Sequence, residues 1–202
     1  MPNPLIEWHN EHVRFGHLLD LLGRQVAAFH AGEDPDYELM RDIVYYLQHF
    51  ADHFHHPREN VAFSRLGERE PGMRVIINRL LQEHRVIAHA GEALLWGLDN
   101  IAADVVMERV GVEAAAATYL LYYRHHLVSE ESDIVPRAAE LLTQEDWAAV
   151  AAAVPAKPDP LFGENAELRY EELRRHIEWE AQRAAALAAD LTPQPEVASA
   201  TP

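Results

Sequence analysis

The chain has 202 residues, with 17 Lys and Arg against 33 Asp and Glu, 13 His and no Cys. That length suits one domain with a substantial core, and the net charge of −16 makes nucleic acid and anionic membranes poor partners. Without Cys there are no disulfides, thiolate metal sites, cysteine-ligated iron–sulfur clusters or cysteine nucleophiles. The N-terminus has no basic stretch leading into an apolar one, and no apolar run approaches about 18 residues. The expectation is therefore a cytoplasmic protein with no membrane span.

Taken in chain order, Asn3-Pro4 reads as the cap and first position of a helix. Its inward stripe is Leu5, Trp8, His12, Phe15, Leu19, Leu22 and Val26, at spacings of three and four. Gly32 to Asp36 is a turn. A second helix is expected from about Tyr37 through Ile43, Leu47, Phe54 and Phe63 to Leu66. Pro57 lies inside it and predicts a kink or local irregularity, because proline has no N–H for the helical ladder. Gly67 to Gly72 break the pattern, and a third helix should span about Met73 to Ala103. Gly111 then separates a fourth, from about Glu113 to Leu142, which Pro136 should bend in the same way.

Beyond Thr143 the character changes. Thr143-x-x-Asp146 resembles a cap opening a short Ala-rich helix around Trp147. Pro155 to Pro160 is a rigid connector. A helix over about Ala166 to Ala189 would turn Leu168, Leu173, Ile177 and Leu187 inward. No segment carries a convincing strand signal. The fold class is all-α: a four-helix up-down-up-down bundle over 1–142, a helical extension over 143–190 packed on it, and a disordered tail over 191–202.

The bundle halves repeat one chemical pattern. Glu11-His12 precedes His55-x-x-x-Glu59, and Glu83-His84 precedes His126-x-x-x-Glu130. His84 and His126 stand 72 and 71 residues after His12 and His55. Residues four apart on a helix are separated by roughly 40° around the axis, so each His/Glu pair can aim two ligands at one point. Neutral imidazole suits iron, zinc or manganese, and a carboxylate can bridge two cations. Two hairpins, each giving His, His and Glu, can enclose two metal ions. The alternative for His55/Glu59 is an exposed polar helix end, and for His12 a buried hydrogen bond to a carbonyl.

The remaining histidines divide by position. His17 and His89 come five residues after the first ligand candidates, roughly 140° around the helix, and are expected to point away. His56 and His125 neighbour the proposed ligands and replace them if the register slips. His9, His30, His49, His53 and His176 have no partner pattern and are read as surface. Glu131 is a fallback ligand, and Glu11 and Glu83 are candidate acceptors for ligand N–H groups. Tyr119 and Tyr122 share the face of His126, where core filling is the leading role and hydrogen bonding to a bound oxygen species the second.

Asn10-Glu11-His12, Phe54-His55-His56-Pro57-Arg58-Glu59-Asn60, Gln82-Glu83-His84 and His126 to Glu131 together resemble the hemerythrin-like, HHE cation-binding family over about residues 5–140. Glu145-Asp146-Trp147 and Asp159 to Gly163 look like the tail of a bacterial subgroup. The resemblance implies a bundle holding a non-haem di-iron centre, with His12, His55, His84 and His126 as terminal ligands and Glu59 and Glu130 as bridges. Zinc and manganese are the alternative metals. Oxygen carriers of the family have a second histidine four residues after the position of His84, where this chain has Ala88. That departure implies a more symmetric centre of four His and two Glu, with open coordination. The absence of cysteine sets the chain apart from the family's iron–sulfur repair members.

The leading expectation is a di-iron protein that binds, senses or stores O2 or a related small oxidant. One alternative is an enzyme turning over peroxide or nitric oxide. Another is an iron or zinc store, or a module whose metal holds the bundle together. The expected partner is a small diatomic or peroxide ligand, with a homodimer as an option for assembly.

Overall fold

The computed structural model describes residues 4–155, 157–163 and 167–190, apart from the side chains of 184–190. Four helical rods form a bundle. The first is α1 (Pro4–Ala31). The second runs through α2 (Tyr37–Tyr46), a π-helical stretch (Leu47–His55) and α3 (His56–Arg69). A 3-10 turn (Pro71–Met73) leads into the third, α4 (Arg74–Ala102). The fourth joins α5 (Arg109–Ser129), a second π-helical stretch (Glu130–Ile134) and α6 (Val135–Leu141). The first and third rods each lie against both the second and the fourth, so the chain runs up-down-up-down around one interior. No strand occurs among the described residues, and no described helix is long and apolar enough to cross a membrane.

The turn after α1 places Gly32 at φ +77°, in the left-handed region that favours glycine. Asp36 then caps α2 by accepting the Leu39 N–H at 2.9 Å. The stripe expected on α1 is buried from Leu5 through Leu22, and Val26 is partly buried.

The irregularity expected at Pro57 lies on its N-terminal side, as a nine-residue π-helix. The residue before each proline donates its N–H to the carbonyl five back: His56 to Ala51, and Val135 to Glu130. Both prolines then sit in the first turn of the next α-helix, where a missing N–H costs nothing. Wide turns of this kind shift which residues face inward and are frequent at functional sites.

Two expectations need correction. The fourth rod begins at Arg109, so Gly111 lies inside it. The break comes earlier, after Ala102, where Asp104 takes φ +56°. Leu168 is 87% exposed rather than inward, because it opens a 3-10 turn (Leu168–Tyr170) before the last helix. Leu187 and the 191–202 tail lie outside the residues whose side chains are described.

After α6, Thr143 and Asp146 form a reciprocal capping box at the start of α7 (Gln144–Ala153), which lies against α3. The final helix, α8 (Glu171–Asp190), lies against α2, with Leu173 buried and Ile177 partly covered.

Apolar packing is split into clusters. Phe15, Leu19, Ile43, Phe50, Leu94 and Tyr123 belong to the largest, while Phe63, Leu66, Ile77, Leu80 and Ile134 form another. A third gathers Leu5, Trp8, Ala62, Ala138 and Val150. In the first three rods the buried His and Glu residues fall between these clusters along the chain. In the fourth Glu130 does so, with His126 at the edge of the largest cluster, which places a polar layer inside the bundle.

Candidate metal centre

His12, His55, His56, Glu59, His84, His126 and Glu130 are all buried. Their donor atoms gather into two lobes, one of His12, His55, Glu59 and Glu130 and one of His56, His84, His126 and Glu59. Within each lobe the atoms lie within 4.8 Å of one another. The six residues expected from the sequence are therefore brought together, with a seventh beside them.

Both carboxylates face both lobes. Glu59 Oε1 lies 2.9 Å from His55 Nε2 and 3.2 Å from His12 Nε2, while its Oε2 lies 3.5 Å from His84 Nε2. Glu130 turns Oε2 toward His12 Nε2 at 3.5 Å and Oε1 toward His126 and His84 at 2.9 and 3.6 Å. Each acid thus presents one oxygen to each lobe.

Every imidazole is held from behind through Nδ1. His55 donates to Glu11 at 2.6 Å and His12 to Glu131 at 2.6 Å. His84 donates to Asn60 at 2.9 Å and His126 to Glu83 at 3.2 Å. His56 Nδ1 lies 3.0 Å from Asp52. Carboxylate and amide oxygens accept, so these partners hold a proton on Nδ1 and point Nε2 into the layer, where it becomes a free electron-pair donor once the imidazole is neutral. Arg58 is buried against Glu11 and lies 4.2 Å over the Phe54 ring, which fixes that acceptor in turn.

The lobes are unequal. His56 joins the four expected histidines in the layer, so five imidazoles are divided two and three between the lobes. The π-helix ending at His55 explains this: two consecutive residues both face inward, whereas in the other half His126 is buried and His125 has a 54% exposed side chain. Position 88 remains Ala and partly buried. The pairing of His56 with Asp52 four residues earlier was readable in the sequence, but the widened turn that aims it inward was not.

Glu131 sits on the outer nitrogen of His12 and also accepts from His9 at 3.0 Å. His17 and His89 are exposed, as are His9, His30, His49 and His53, while His176 is partly covered. Tyr119 is fully buried, but Tyr122 is 39% exposed, and its neighbour Tyr123 fills the interior 5.8 Å from the His56 ring. The buried stripe of α5 is centred to one side of His126, and Tyr122 falls roughly 100° from that centre.

The arrangement fits metal. Nε2 of His56, His84 and His126, Oε2 of Glu59 and both oxygens of Glu130 are buried without a well-aligned hydrogen bond, even where His126 and Glu130 stand 2.9 Å apart. Such orphans are costly, and here they converge. Burial lowers His12, but hydrogen bonds to Glu131 and Glu59 outweigh it and raise the imidazole to about 10. Burial likewise opposes Glu130 and Glu83 at His126, which is raised to about 9. Burial and the neighbouring His84 push His56 well below its ordinary value. Against burial, His55 and His12 hold Glu59 well below the usual carboxylate range, and His126 and His84 lower Glu130. Protonated imidazoles thus balance two buried carboxylates, the charge that bound cations would supply instead.

A groove of about 640 Å³ runs between α1 and α5, lined in part by Val13, Gly16, Leu127 and Val128, with His12 and Glu131 also in its lining. It brings solvent to the edge of the two-histidine lobe.

An all-α bundle with histidines and shared carboxylates layered between its apolar ends defines a helical-bundle metal-binding protein. The model of the hemerythrin HHE cation-binding domain matches residues 3–138, and the chain belongs to that family. No curated protein and no solved structure matches it significantly.

Proposed function

We propose that the layer holds two iron ions and that the chain binds O2 or a related small oxidant there. His12 and His55 would serve one ion, His56, His84 and His126 the other, and Glu59 and Glu130 both. The observation that supports this reading is the unequal pair of lobes sharing both carboxylates. One lobe has one imidazole fewer, and that is the place for a small exogenous ligand. Two ferrous ions, when bound, supply the two electrons that take O2 to the oxidation level of peroxide.

The chain's own residues do the rest. Glu11, Asp52, Asn60, Glu83 and Glu131 orient the imidazoles. Phe15, Phe63 and Tyr123 pack around them and exclude water. The groove beside His12 supplies a way in. The same groove favours a second reading, turnover of peroxide or nitric oxide, since it places the Glu131 carboxylate and the His9 imidazole beside the more open lobe. A cytoplasmic setting suits either.

Elemental analysis of protein expressed in iron-rich medium, followed by anaerobic titration with O2, tests the proposal. We expect two irons per chain and an optical spectrum that forms with O2 and reverses on deoxygenation. Well under one iron per chain overturns it. Rapid loss of added peroxide without a stable oxygenated spectrum selects the enzymatic reading, and zinc or manganese in place of iron selects a store or a structural centre.

A further inference from the structure

We infer that Trp8 and Trp147 form an electron relay between the buried centre and the surface, an inference that rests on the redox-active centre proposed above. The Trp8 indole is buried, and its ring centroid lies 6.3 Å from the His55 imidazole. Trp147 lies 5.3 Å from Trp8 and is only partly covered. The series His55, Trp8, Trp147 therefore leads from the two-histidine lobe to solvent on α7, with no ring-to-ring step longer than 6.3 Å.

The segment carrying Trp147 is held firmly. Arg69 Nε donates to Asp146 Oδ2 at 2.7 Å, and Asp146 closes the capping box with Thr143 that starts α7. This lock sits one residue before Trp147 and gives α7 a role beyond covering apolar surface. The chain's other indoles, Trp96 and Trp179, are 62% and 51% exposed, and Trp179 packs against His176 and Arg183 in the last helix.

Chemistry favours the indoles over the nearer phenols. A phenol that gives up an electron must also release its proton, and the fully buried hydroxyls of Tyr119 and Tyr123 have no partner to receive one. An indole can pass through a radical cation and keep its N–H while the charge moves on. In the relay, a one-electron oxidant at the surface takes an electron from Trp147. Trp147 is restored by Trp8, and Trp8 by the reduced metal pair. The net change is one electron from metal to oxidant; each indole ends as it began, and no bond is made or broken.

Flash photolysis tests this. A ruthenium tris-bipyridine sensitiser with persulfate generates the oxidant, and transient absorption with electron paramagnetic resonance follows the indole radical. In iron-loaded, reduced protein the radical should decay at least an order of magnitude faster than in metal-free protein. Trp8→Phe should return the decay to the metal-free rate, with iron content and circular dichroism unchanged. Trp147→Phe should do the same from the exposed end and serves if the buried variant folds poorly, while Trp179→Phe should change nothing. Equal decay with and without iron, or iron-dependent decay that survives both substitutions, overturns the relay while leaving the O2 titration to judge the centre. A chain that takes up no redox-active metal overturns both.

Discussion

Each half of the bundle carries two adjacent histidines, yet His55 and His56 are buried together while His125 and His126 are split between solvent and interior. That difference makes one substitution diagnostic. His56→Ala should lower bound metal from two ions toward one, because it removes a donor from a single lobe, whereas His125→Ala should leave the content unchanged; elemental analysis separates them. Glu59→Gln removes a group facing both lobes and should abolish binding at both. Glu11→Ala touches neither lobe but releases His55 Nδ1 and leaves Arg58 buried without its carboxylate partner. Loss of such an outer partner weakens metal binding by about 10–100-fold, which competition with a chelator would read.

Helices here are tuned by their glycines and caps. A Cβ at Gly91 would lie 2.8 Å from Tyr119 Cε2 and 3.1 Å from Gln48 Nε2, so α4 can approach α5 only with glycine there. Gly91→Ala should destabilise the protein by roughly 1–3 kcal/mol in chemical denaturation, the range for overpacked cores. Gly16→Ala meets nothing within 4 Å and should stabilise α1 by up to about 1 kcal/mol, since glycine is a poor helix former. Thr143→Ala removes the cap of α7 and should cost about 1 kcal/mol. Asp146 is opposed by burial but held down to about 2 by Arg69 and Thr143. Its contribution is present above its ordinary value of 3.8 and is lost as pH falls through about 2, so α7 should loosen only in strong acid.

For the molecule as a whole, the buried layer ties stability to pH and to metal. In the metal-free protein His12 and His126 are raised from 6.5 to about 10 and about 9. A raised imidazole contributes stability that is fully present below its unfolded value and lost as pH climbs through the folded one. The melting temperature of metal-free protein should therefore fall between about pH 6.5 and about 10. Bound cations displace those protons, so the loaded protein should be flatter across that window and metal uptake should release protons, measurable in weakly buffered solution.

Helix spacing and the doubled His/Glu pattern were enough to read an all-α bundle and to name six of the seven residues that meet in its interior, because amphipathic period and i, i+4 geometry are local properties of a chain. The prolines announced irregularity as well. What sequence could not supply was the outcome of that irregularity. A π-helix before Pro57 and another before Pro136 fall at different places relative to the two histidine pairs, so near-identical motifs present unequal donor sets. Nor could spacing show that Glu131 backs His12, that Tyr123 rather than Tyr122 points inward, or that α7 lays Trp147 on Trp8. Those facts depend on how rods rotate and pack against one another, and rotation about a helix axis is settled by the neighbours it meets.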